Sequence, residues 1–219
     1  MLLKPMDGLI GADAVMKNAL KTAIDVKPFC PGGEIKGLIG MRMFIAINFN
    51  EEVKDQINQI IDRVKSNSVQ GRFVSEENIH LTLEFLGEVQ EHRLGLIREV
   101  MDGIEFEPFT FGLTKIGCFR RPEGKIYWLG VEKCHTLYGI QKTLRQSLIE
   151  KGFKLENGEY RPHITLGRKV MLKEGFSAGE LDDIAGRIKI GVDRIDLMKS
   201  EFINRKPMYS LVYSTGSPY

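Results

Sequence analysis

The sequence predicts an α+β fold made of two similar halves, and three observations support this prediction. Helical and strand-like patterns alternate from about Met41 to the C-terminus. The same order of patterns then recurs in the second half of the chain. Each half contains one strand-like segment with the spacing His-x-Thr, and the two histidines, His80 and His163, lie 83 positions apart. We therefore expect a duplicated unit with pseudo-twofold symmetry.

Length and composition indicate a globular protein with a distinct N-terminal segment. The 219 residues are 42% hydrophobic, which is enough apolar material for a large core. Residues 1–40 contain no arginine and one aromatic residue, Phe29, and they end in the turn-rich stretch CPGGEIKGLIG. We interpret residues 1–40 as a short helix plus linker, either an extension foreign to the domain or a flap beside its site. Residues 41–219 then form the domain itself.

Charge and cysteine content restrict the class of protein. The net charge of +2 means that a polyanionic partner must be bound by a local patch rather than by the field of the whole molecule. Three cysteines without C-x-x-C spacing argue against a disulfide framework and a zinc knot, so a cytoplasmic protein is expected. No apolar run approaches the roughly 18 residues of a membrane span. We also expect a monomer.

The first half of the domain is predicted as strand, helix, strand and helix. The segment MFIAINF has the continuous apolar character of a buried strand. Residues 50–66 predict an amphipathic helix with Asn50 as its N-cap. A strand over 78–86 and a helix over about 91–104 follow. The apolar stripe of the first helix consists of Val53, Ile57, Ile60, Ile61 and Val64.

The second half repeats this order and adds closing strands. FTFGLTKIGCF predicts a strand, the loop RRPEGK follows, and IYWLGV predicts the next strand. A helix over 135–152 is expected to stop at Gly152. A strand over 160–168 and a helical stretch near 178–185 come next. The segments IKIGVDRIDLMKSEFI and MYSLVYST are predicted as closing strands.

The repeated motif places polar side chains on one face of each motif strand. Successive side chains of a strand point to opposite faces, so His80 shares a face with Thr82, and His163 shares a face with Thr165. These faces must border a wet space, because the opposite faces carry the apolar residues of the core. The apolar set is Ile79, Leu81, Leu83 and Phe85 in the first strand and Ile164 and Leu166 in the second.

Two imidazoles and two hydroxyls around one groove suit the hydrolysis of a phosphodiester. One group must deprotonate water and another must protonate the leaving oxygen, and imidazole, with a pKa of about 6.5, serves in either role. Threonine hydroxyls can donate to the non-bridging phosphate oxygens. This chemistry requires no metal and no cofactor. The other two histidines, His92 and His135, lie at predicted helix starts and are expected to be solvated.

These residues resemble a known superfamily. HLTL at 80–83, HITL at 163–166, FIAINF near the domain start, FLGEV and YWLGV are similar to the 2H phosphoesterases, and within them to the RNA 2',3'-cyclic phosphodiesterases, also called 2'-5' RNA ligases. The resemblance extends from about Met41 to the C-terminus. It implies a bilobed fold in which two antiparallel sheets line a central cleft, with helices outside. The implied substrates are RNA with 2',3'-cyclic phosphate ends or small cyclic nucleotides, and the product is a 2'-phosphomonoester.

The resemblance also implies a role for each motif residue. His80 would donate a proton to the departing 3' oxygen, and His163 would accept the proton of the attacking water. Thr82 and Thr165 would hold the phosphate. Because the steps are reversible, a 5'-hydroxyl of RNA in place of water would yield a 2'-5' linkage without ATP.

Three basic residues are further candidates for substrate binding. Arg168 follows the second motif, and its guanidinium could grip two phosphate oxygens, although a surface ion pair is the alternative. Arg121 and Lys125 lie in the loop after the third predicted strand, where they could contact the RNA backbone or simply be solvated. Of the neighbouring aromatic residues Tyr127 and Trp128, only one can face the core, and Trp128 is expected to do so.

The leading hypothesis is therefore a metal-independent RNA 2',3'-cyclic phosphodiesterase with two catalytic histidines. One alternative is a non-catalytic RNA- or nucleotide-binding module that keeps the same cleft. A second alternative is a 2H phosphodiesterase that acts on another small cyclic phosphate or on a 2'-5' oligonucleotide. A matched acid and base count against the first alternative, since a binding module has no need of them.

Overall fold

A computed structural model describes residues 40–216 of the chain. The described part contains nine strands and four helices, together with 3-10 turns at Glu76–Asn78, Glu91–Arg93 and Ala178–Leu181. In chain order the strands and helices are β1 (Met41–Asn48), α1 (Glu51–Ser66), β2 (Ser68–Phe73), β3 (His80–Val89), α2 (Leu94–Asp102), β4 (Phe109–Phe119), β5 (Lys125–Val131), α3 (His135–Glu150), β6 (His163–Leu172), α4 (Asp182–Ala185), β7 (Lys189–Val192), β8 (Arg194–Ile203) and β9 (Lys206–Gly216). The predicted extension over residues 1–40 lies outside the described residues, apart from Gly40.

The strands form two antiparallel sheets, which confirms the predicted α+β class. One sheet has the order β3-β1-β8-β9 and the other has the order β2-β6-β5-β4-β7. The order β3-β1-β8-β9 corresponds strand for strand to β6-β5-β4-β7, with β2 added outside β6. Each sheet therefore contains one His-x-Thr strand. Within residues 40–216, no helix has the length and apolar character that spanning a bilayer would require.

The two sheets do not correspond to two contiguous halves of the chain. The sheet that contains β1 and β3 is completed by β8 and β9 from the end of the chain, and β2 from the first half pairs with β6. The pairing of Ala46 with Asp196 illustrates this exchange. Sequence patterns did not indicate it, because alternation within a strand carries no information about which strand it pairs with.

Helix α1 forms where its capping residue and its apolar stripe predict. The side chain of Asn50 accepts a hydrogen bond from the backbone amide of Val53 (3.0 Å), which satisfies one of the free amides of the first turn. The five residues of the predicted stripe are the buried residues of this helix. The helix therefore covers the sheets from outside with its apolar face inward.

The sheet β3-β1-β8-β9 is curled so that its two edge strands approach each other. The side chain of Asn78, just before β3, donates a hydrogen bond to the carbonyl oxygen of Pro207 in β9 (2.9 Å). The rings of His80 and Tyr209 also meet edge to face, with centroids 5.3 Å apart. The first motif histidine therefore lies on the concave face of a half-barrel, where Phe44 also contacts it (4.9 Å).

Both motif strands contain a β-bulge at the same place. Ala46 and Ile45 of β1 pair with Thr82 and Glu84 of β3, so one extra residue stands between Thr82 and Glu84. Likewise, Trp128 and Tyr127 of β5 pair with Thr165 and Gly167 of β6. Each bulge reverses the alternation of side chains beyond it.

The bulge in β3 overturns one prediction. Phe85 was expected in the core with Leu83, but its side chain is 48% exposed, and its ring faces Phe44 on the concave face (6.2 Å). Glu84 takes the core-facing position instead, and only 7% of it is exposed. The extra residue in the strand is the physical reason.

A buried ion pair holds helix α3 against the first motif strand. Glu84 of β3 accepts hydrogen bonds from Gln141 (3.1 Å) and from Arg145 (2.9 Å) of α3. Arg145 also donates to the carbonyl oxygen of Glu156, in the segment that leads to the second motif. Burial raises the pKa of Glu84, and the Arg145 guanidinium opposes this rise. The carboxylate thus depends on its partners to remain charged inside the protein.

Replacing Arg145 by alanine should destabilise the fold, because it leaves the Glu84 carboxylate buried without its cation. We expect the free energy of unfolding in urea at pH 7 to fall by about 3–5 kcal/mol. Lys142→Ala, an exposed substitution on the same helix, is the control and should change it by less than about 0.5 kcal/mol. The double variant Arg145→Ala/Glu84→Gln should regain part of the loss. Equal effects of Arg145→Ala and Lys142→Ala would contradict this reasoning.

Candidate active site

The ring of His80 is oriented by its own strand. Its Nδ1 lies 2.7 Å from the carbonyl oxygen of Asn78, two residues earlier. Because a carbonyl can only accept a hydrogen bond, Nδ1 carries the proton. The other ring nitrogen, Nε2, then accepts from the hydroxyl of Thr82 (3.1 Å). This confirms that His80 and Thr82 share one face, and it directs Nε2 towards the concave side of the sheet.

His163 has the same orientation in the other sheet. Its Nδ1 donates to the carbonyl oxygen of Arg161 (2.8 Å), which is again two residues earlier. Ile164 and Leu166 are fully buried on the opposite face, as the alternation predicts. Thr165 lies beside Trp128 in the β5–β6 ladder. Both motifs therefore fix the imidazole through Nδ1 and leave Nε2 available for chemistry.

The two histidines and Arg168 belong to one electrostatic group. The pKa of His80 is lowered to about 4, chiefly by burial and to a lesser extent by the charges of Arg168 and His163, while the Asn78 hydrogen bond opposes the shift. Burial likewise lowers the pKa of His163, with a smaller contribution from Arg168. Arg168 thus lies near enough to both histidines to influence their pKa values. Both imidazoles are therefore neutral in the free protein near pH 7.

Arg168 is half-buried, and within residues 40–216 it forms no ion pair. Burial lowers its pKa, and the nearby hydroxyl of Tyr209 partly offsets the effect. Its Nη1 is buried and has no hydrogen-bond partner among the described residues. Arg168 stands five positions after His163, an odd offset that simple alternation would place in the core. The bulge between Thr165 and Gly167 turns it to the histidine side.

A hydrogen bond between the sheets links the two motifs. The hydroxyl of Tyr160, three residues before His163, donates to the backbone carbonyl of Thr82 (3.2 Å). Burial raises the pKa of Tyr160, so this hydroxyl keeps its proton. The second motif strand is thereby tied to the first directly at the site.

Aromatic rings form the walls around each histidine. Phe44 and Tyr209 contact His80, and Phe119 and Trp128 contact His163 with centroids 5.7 Å and 6.2 Å away. The expectation that Trp128 packs in the core is wrong. Tyr127 is the core residue, and Trp128 lies on the face of His163.

The position of Trp128 depends on a glycine in the neighbouring strand. A Cβ at Gly117 would overlap the indole ring of Trp128, so only glycine lets the ring lie across the sheet. The indole Nε1 is buried without a hydrogen-bond partner among the described residues. A second unused donor therefore lies beside His163.

The other two predicted binding residues lie farther from the histidines. Arg121 is partly buried in the loop between β4 and β5. Lys125 is exposed and pairs with Val170, whereas Gly130 of the same strand pairs with His163. Five residues of strand separate these pairs by about 17 Å. Lys125 is thus placed to meet a long substrate but not the group held between the histidines.

Several residues of the site were missed by sequence reasoning. Tyr209 was predicted only as part of a closing strand, and Asn78, Phe44 and Tyr160 were not singled out. Their places depend on the curl of the first sheet and on contacts between sheets, which leave no local pattern in the sequence.

The exposed rings of His92 and His135 agree with the prediction that these histidines are solvated at helix starts. In residues 40–216, no three or more His, Cys, Asp and Glu side chains are grouped to hold a metal ion.

The sequence of the chain matches a known protein family. Residues 47–127 and 129–209 each match the model described as LigT-like phosphoesterase. The chain belongs to this family. Each matched stretch contains one His-x-Thr motif, so the family model recognises the same duplication as the sequence. This is the family that the two His-x-Thr motifs resemble. Because the chain belongs to it, the chain is a phosphodiesterase.

Relatives of known name cover most of the domain. The RNA 2',3'-cyclic phosphodiesterase of Thermotoga maritima is 36% identical over 176 residues, which are 79% of this chain and 94% of that protein. The protein of the same name from Methanothermobacter thermautotrophicus is 32% identical over 178 residues, or 78% and 95% of the two chains. The crystal structure of E. coli LigT complexed with 3'-AMP has a TM-score of 0.68 at 25% identity and covers 82% and 99%.

Phosphate binding should raise the pKa of both site histidines in this LigT-like protein. The negative charge of the phosphate stabilises imidazolium and offsets the positive charge of Arg168. In ring-edited NMR titrations of the free protein, we expect His80 to titrate near pH 4. Saturation with 2'-AMP should raise the pKa values of His80 and His163 by about 1–3 units. The exposed ring of His92 is an internal control whose signal should not respond to 2'-AMP. Titration of free His80 near pH 6.5 would refute the burial argument.

Proposed function

We propose that the protein hydrolyses 2',3'-cyclic phosphate ends of RNA to 2'-phosphomonoesters by acid–base catalysis with two histidines. The observation that supports this proposal most is that the Tyr160–Thr82 hydrogen bond joins the two motifs, while Arg168 influences the pKa values of both His80 and His163. Two proton-transfer groups and one buried cation are what an in-line displacement at an anionic phosphorus requires. The names of the T. maritima and M. thermautotrophicus relatives point to the same substrate.

In this mechanism Arg168 binds the non-bridging oxygens of the cyclic phosphate. Its buried Nη1 has no hydrogen-bond partner among the described residues, which is unfavourable. An anionic ligand supplies the missing hydrogen bond, and this favours its binding. The hydroxyls of Thr82 and Thr165 add further donors. In the free protein the Thr82 hydroxyl donates to His80, and it must turn to the phosphate when substrate binds.

Proton transfer then follows the assignment that the family resemblance implies. Nε2 of His163 takes a proton from water, whose oxygen forms a bond to phosphorus. The bond from phosphorus to the 3' oxygen breaks, and Nε2 of His80 protonates that oxygen. The phosphate stays on the 2' oxygen. Since burial lowers the pKa of His80 to about 4, the negative charge of the substrate must assist its protonation.

The same arrangement supports a ligation reaction of RNA. A 5'-hydroxyl in the position of water would give a 2'-5' phosphodiester, with His163 again as the proton acceptor. The energy of the strained cyclic phosphate replaces that of ATP. Arg121 and Lys125 are suited to contact the backbone of such long substrates, because Lys125 lies on the sheet of His163 but away from it and Arg121 lies in the loop that precedes Lys125.

Alanine substitution of either histidine should abolish turnover. We expect His80→Ala and His163→Ala to lower kcat for an RNA that ends in a cyclic phosphate, assayed in EDTA, by at least about 10²–10⁴-fold. The wild type should be fully active in EDTA, and its product should carry a 2'-phosphate. His135→Ala, at an exposed ring, is the control and should behave like the wild type. Chromatography against 2'- and 3'-phosphate standards identifies the product. Wild-type activity that disappears in EDTA and returns with a metal would refute the mechanism, and binding without turnover would favour a binding module.

The pH dependence should report both histidines. One histidine must be protonated and the other neutral, so activity falls on both sides of an optimum. Because burial lowers both pKa values below 6.5 in the free protein, we expect the bell of kcat/KM, measured from pH 4 to 8, to be centred below pH 6.5. The bell of kcat should lie at higher pH, since the bound phosphate raises both values. A flat kcat/KM between pH 5 and 8 would exclude this pairing.

A further inference from the structure

The tip of the β8–β9 hairpin is apolar where solvent would favour polar residues. Phe202 and Ile203 at the end of β8 are 59% and 51% exposed. The turn consists of Asn204 and Arg205, whose φ angles of 52° and 63° are both left-handed. Such turns suit the twist of a hairpin, but an arginine is an unfavourable residue for this backbone and a glycine would be favoured. A charged residue with a left-handed backbone at an exposed tip indicates a candidate functional site.

This tip lies next to the site although it is remote in sequence. Asn78, two residues before His80, donates to the carbonyl of Pro207, and Tyr209 contacts the ring of His80. The charge of Lys206 also contributes to the lowered pKa of Glu77, in the turn that precedes β3. The curl of the sheet therefore brings the hairpin tip to the rim of the concave face that holds the first motif.

Phe202 faces the same side of the sheet as His80. In the β8–β9 ladder Ser200 pairs with Tyr209, and Phe202 pairs with Pro207. Residues two apart share a face, so Phe202 lies on the face of Tyr209, about 7 Å farther along the strand. Ile203, by contrast, points to the opposite face. An exposed aromatic ring thus extends the aromatic surface around His80 towards the tip.

The tip also carries positive charge. Within residues 40–216, neither Arg205 nor Lys206 forms an ion pair, whereas Lys199 farther down β8 is paired with Glu201 (2.9 Å). An aromatic ring beside unpaired cations is the combination that binds single-stranded nucleic acid, since rings stack on bases and cations bind phosphates. Continuity with the proposed site favours RNA over a lipid surface or a second copy of the chain.

We propose that Phe202, Arg205 and Lys206 at the hairpin tip bind the RNA nucleotides that precede the terminal cyclic phosphate. This inference rests on the proposed function, because the cyclic phosphate at His80 fixes where the rest of the RNA leaves the cleft. Phe202 stacks on a base, and Arg205 contacts a backbone phosphate with support from Lys206. The tip therefore makes the enzyme prefer an RNA chain to a cyclic mononucleotide.

The test compares two substrates, a 2',3'-cyclic mononucleotide and a ten-nucleotide RNA that ends in a 2',3'-cyclic phosphate. Phe202→Ala should lower kcat/KM for the RNA by about 5- to 150-fold, chiefly through KM, and should leave the mononucleotide unchanged. Arg205→Gly removes the charge and relieves the left-handed strain, so it should weaken RNA use and flatten its salt dependence without lowering the Tm. Ile203→Ala is the matched control, equally exposed on the opposite face, and should change neither substrate.

Equal losses on both substrates, or no loss with Phe202→Ala, would overturn the proposal. Fluorescence anisotropy with a ten-nucleotide RNA ending in a 2'-phosphate separates it from the proposed function. If the wild type hydrolyses neither substrate but binds this RNA in a Phe202-dependent manner, the tip proposal stands and the catalytic one fails. If Phe202 instead governs binding to anionic phospholipid vesicles or self-association in sedimentation, with RNA binding unaffected, the tip proposal is wrong.

Discussion

Each motif strand contains one extra residue directly after its His-x-Thr segment. Residues 82 and 84 pair with two consecutive residues of β1, and residues 165 and 167 pair with two consecutive residues of β5. Up to the bulge, alternation aims histidine and threonine at the cleft. Beyond it, the alternation is reversed, and the residue five places after each histidine faces the cleft as well. These residues are Phe85 in one sheet and Arg168 in the other. The duplication thus yields equivalent positions with different chemistry, an exposed ring on one side and a buried cation on the other.

The electrostatics of the cleft are dominated by the burial of Arg168 and of the two imidazoles. Arg168 and two imidazoles share a space in which the described residues provide no carboxylate to pair with Arg168. Burial disfavours every positive charge there, which keeps both histidines neutral and leaves a guanidinium nitrogen unsatisfied. A phosphate anion relieves all three conditions together. These conditions favour an anion in the cleft, and the proposed mechanism couples the protonation of His80 to the binding of that anion.

Local chemistry made much of this structure predictable. Asn50 with its apolar stripe predicted α1, and the continuous apolar run MFIAINF predicted β1. Features that depend on pairing between strands were not predictable. The reversed position of Phe85 follows from the bulge in β3, and β2 was missed because SVQGRF is polar, contains a glycine and lies at a sheet edge. The orientation of Arg168 was not predictable either, since its offset from His163 alone would have turned it to the core and only the bulge in β6 turns it to the histidine side.

The exchange of strands between the two sheets also has a consequence for biogenesis. β1 and β3 leave the ribosome early, but their sheet is completed by β8 and β9, and Ala46 meets Asp196 only after 150 further residues have been made. Until then one edge of β1 has no hydrogen-bonding neighbour, and apolar surface meant for the core remains open to solvent. Such non-local topology folds slowly and exposes nascent chains to aggregation. The half-barrel around His80 can therefore close only near the end of translation.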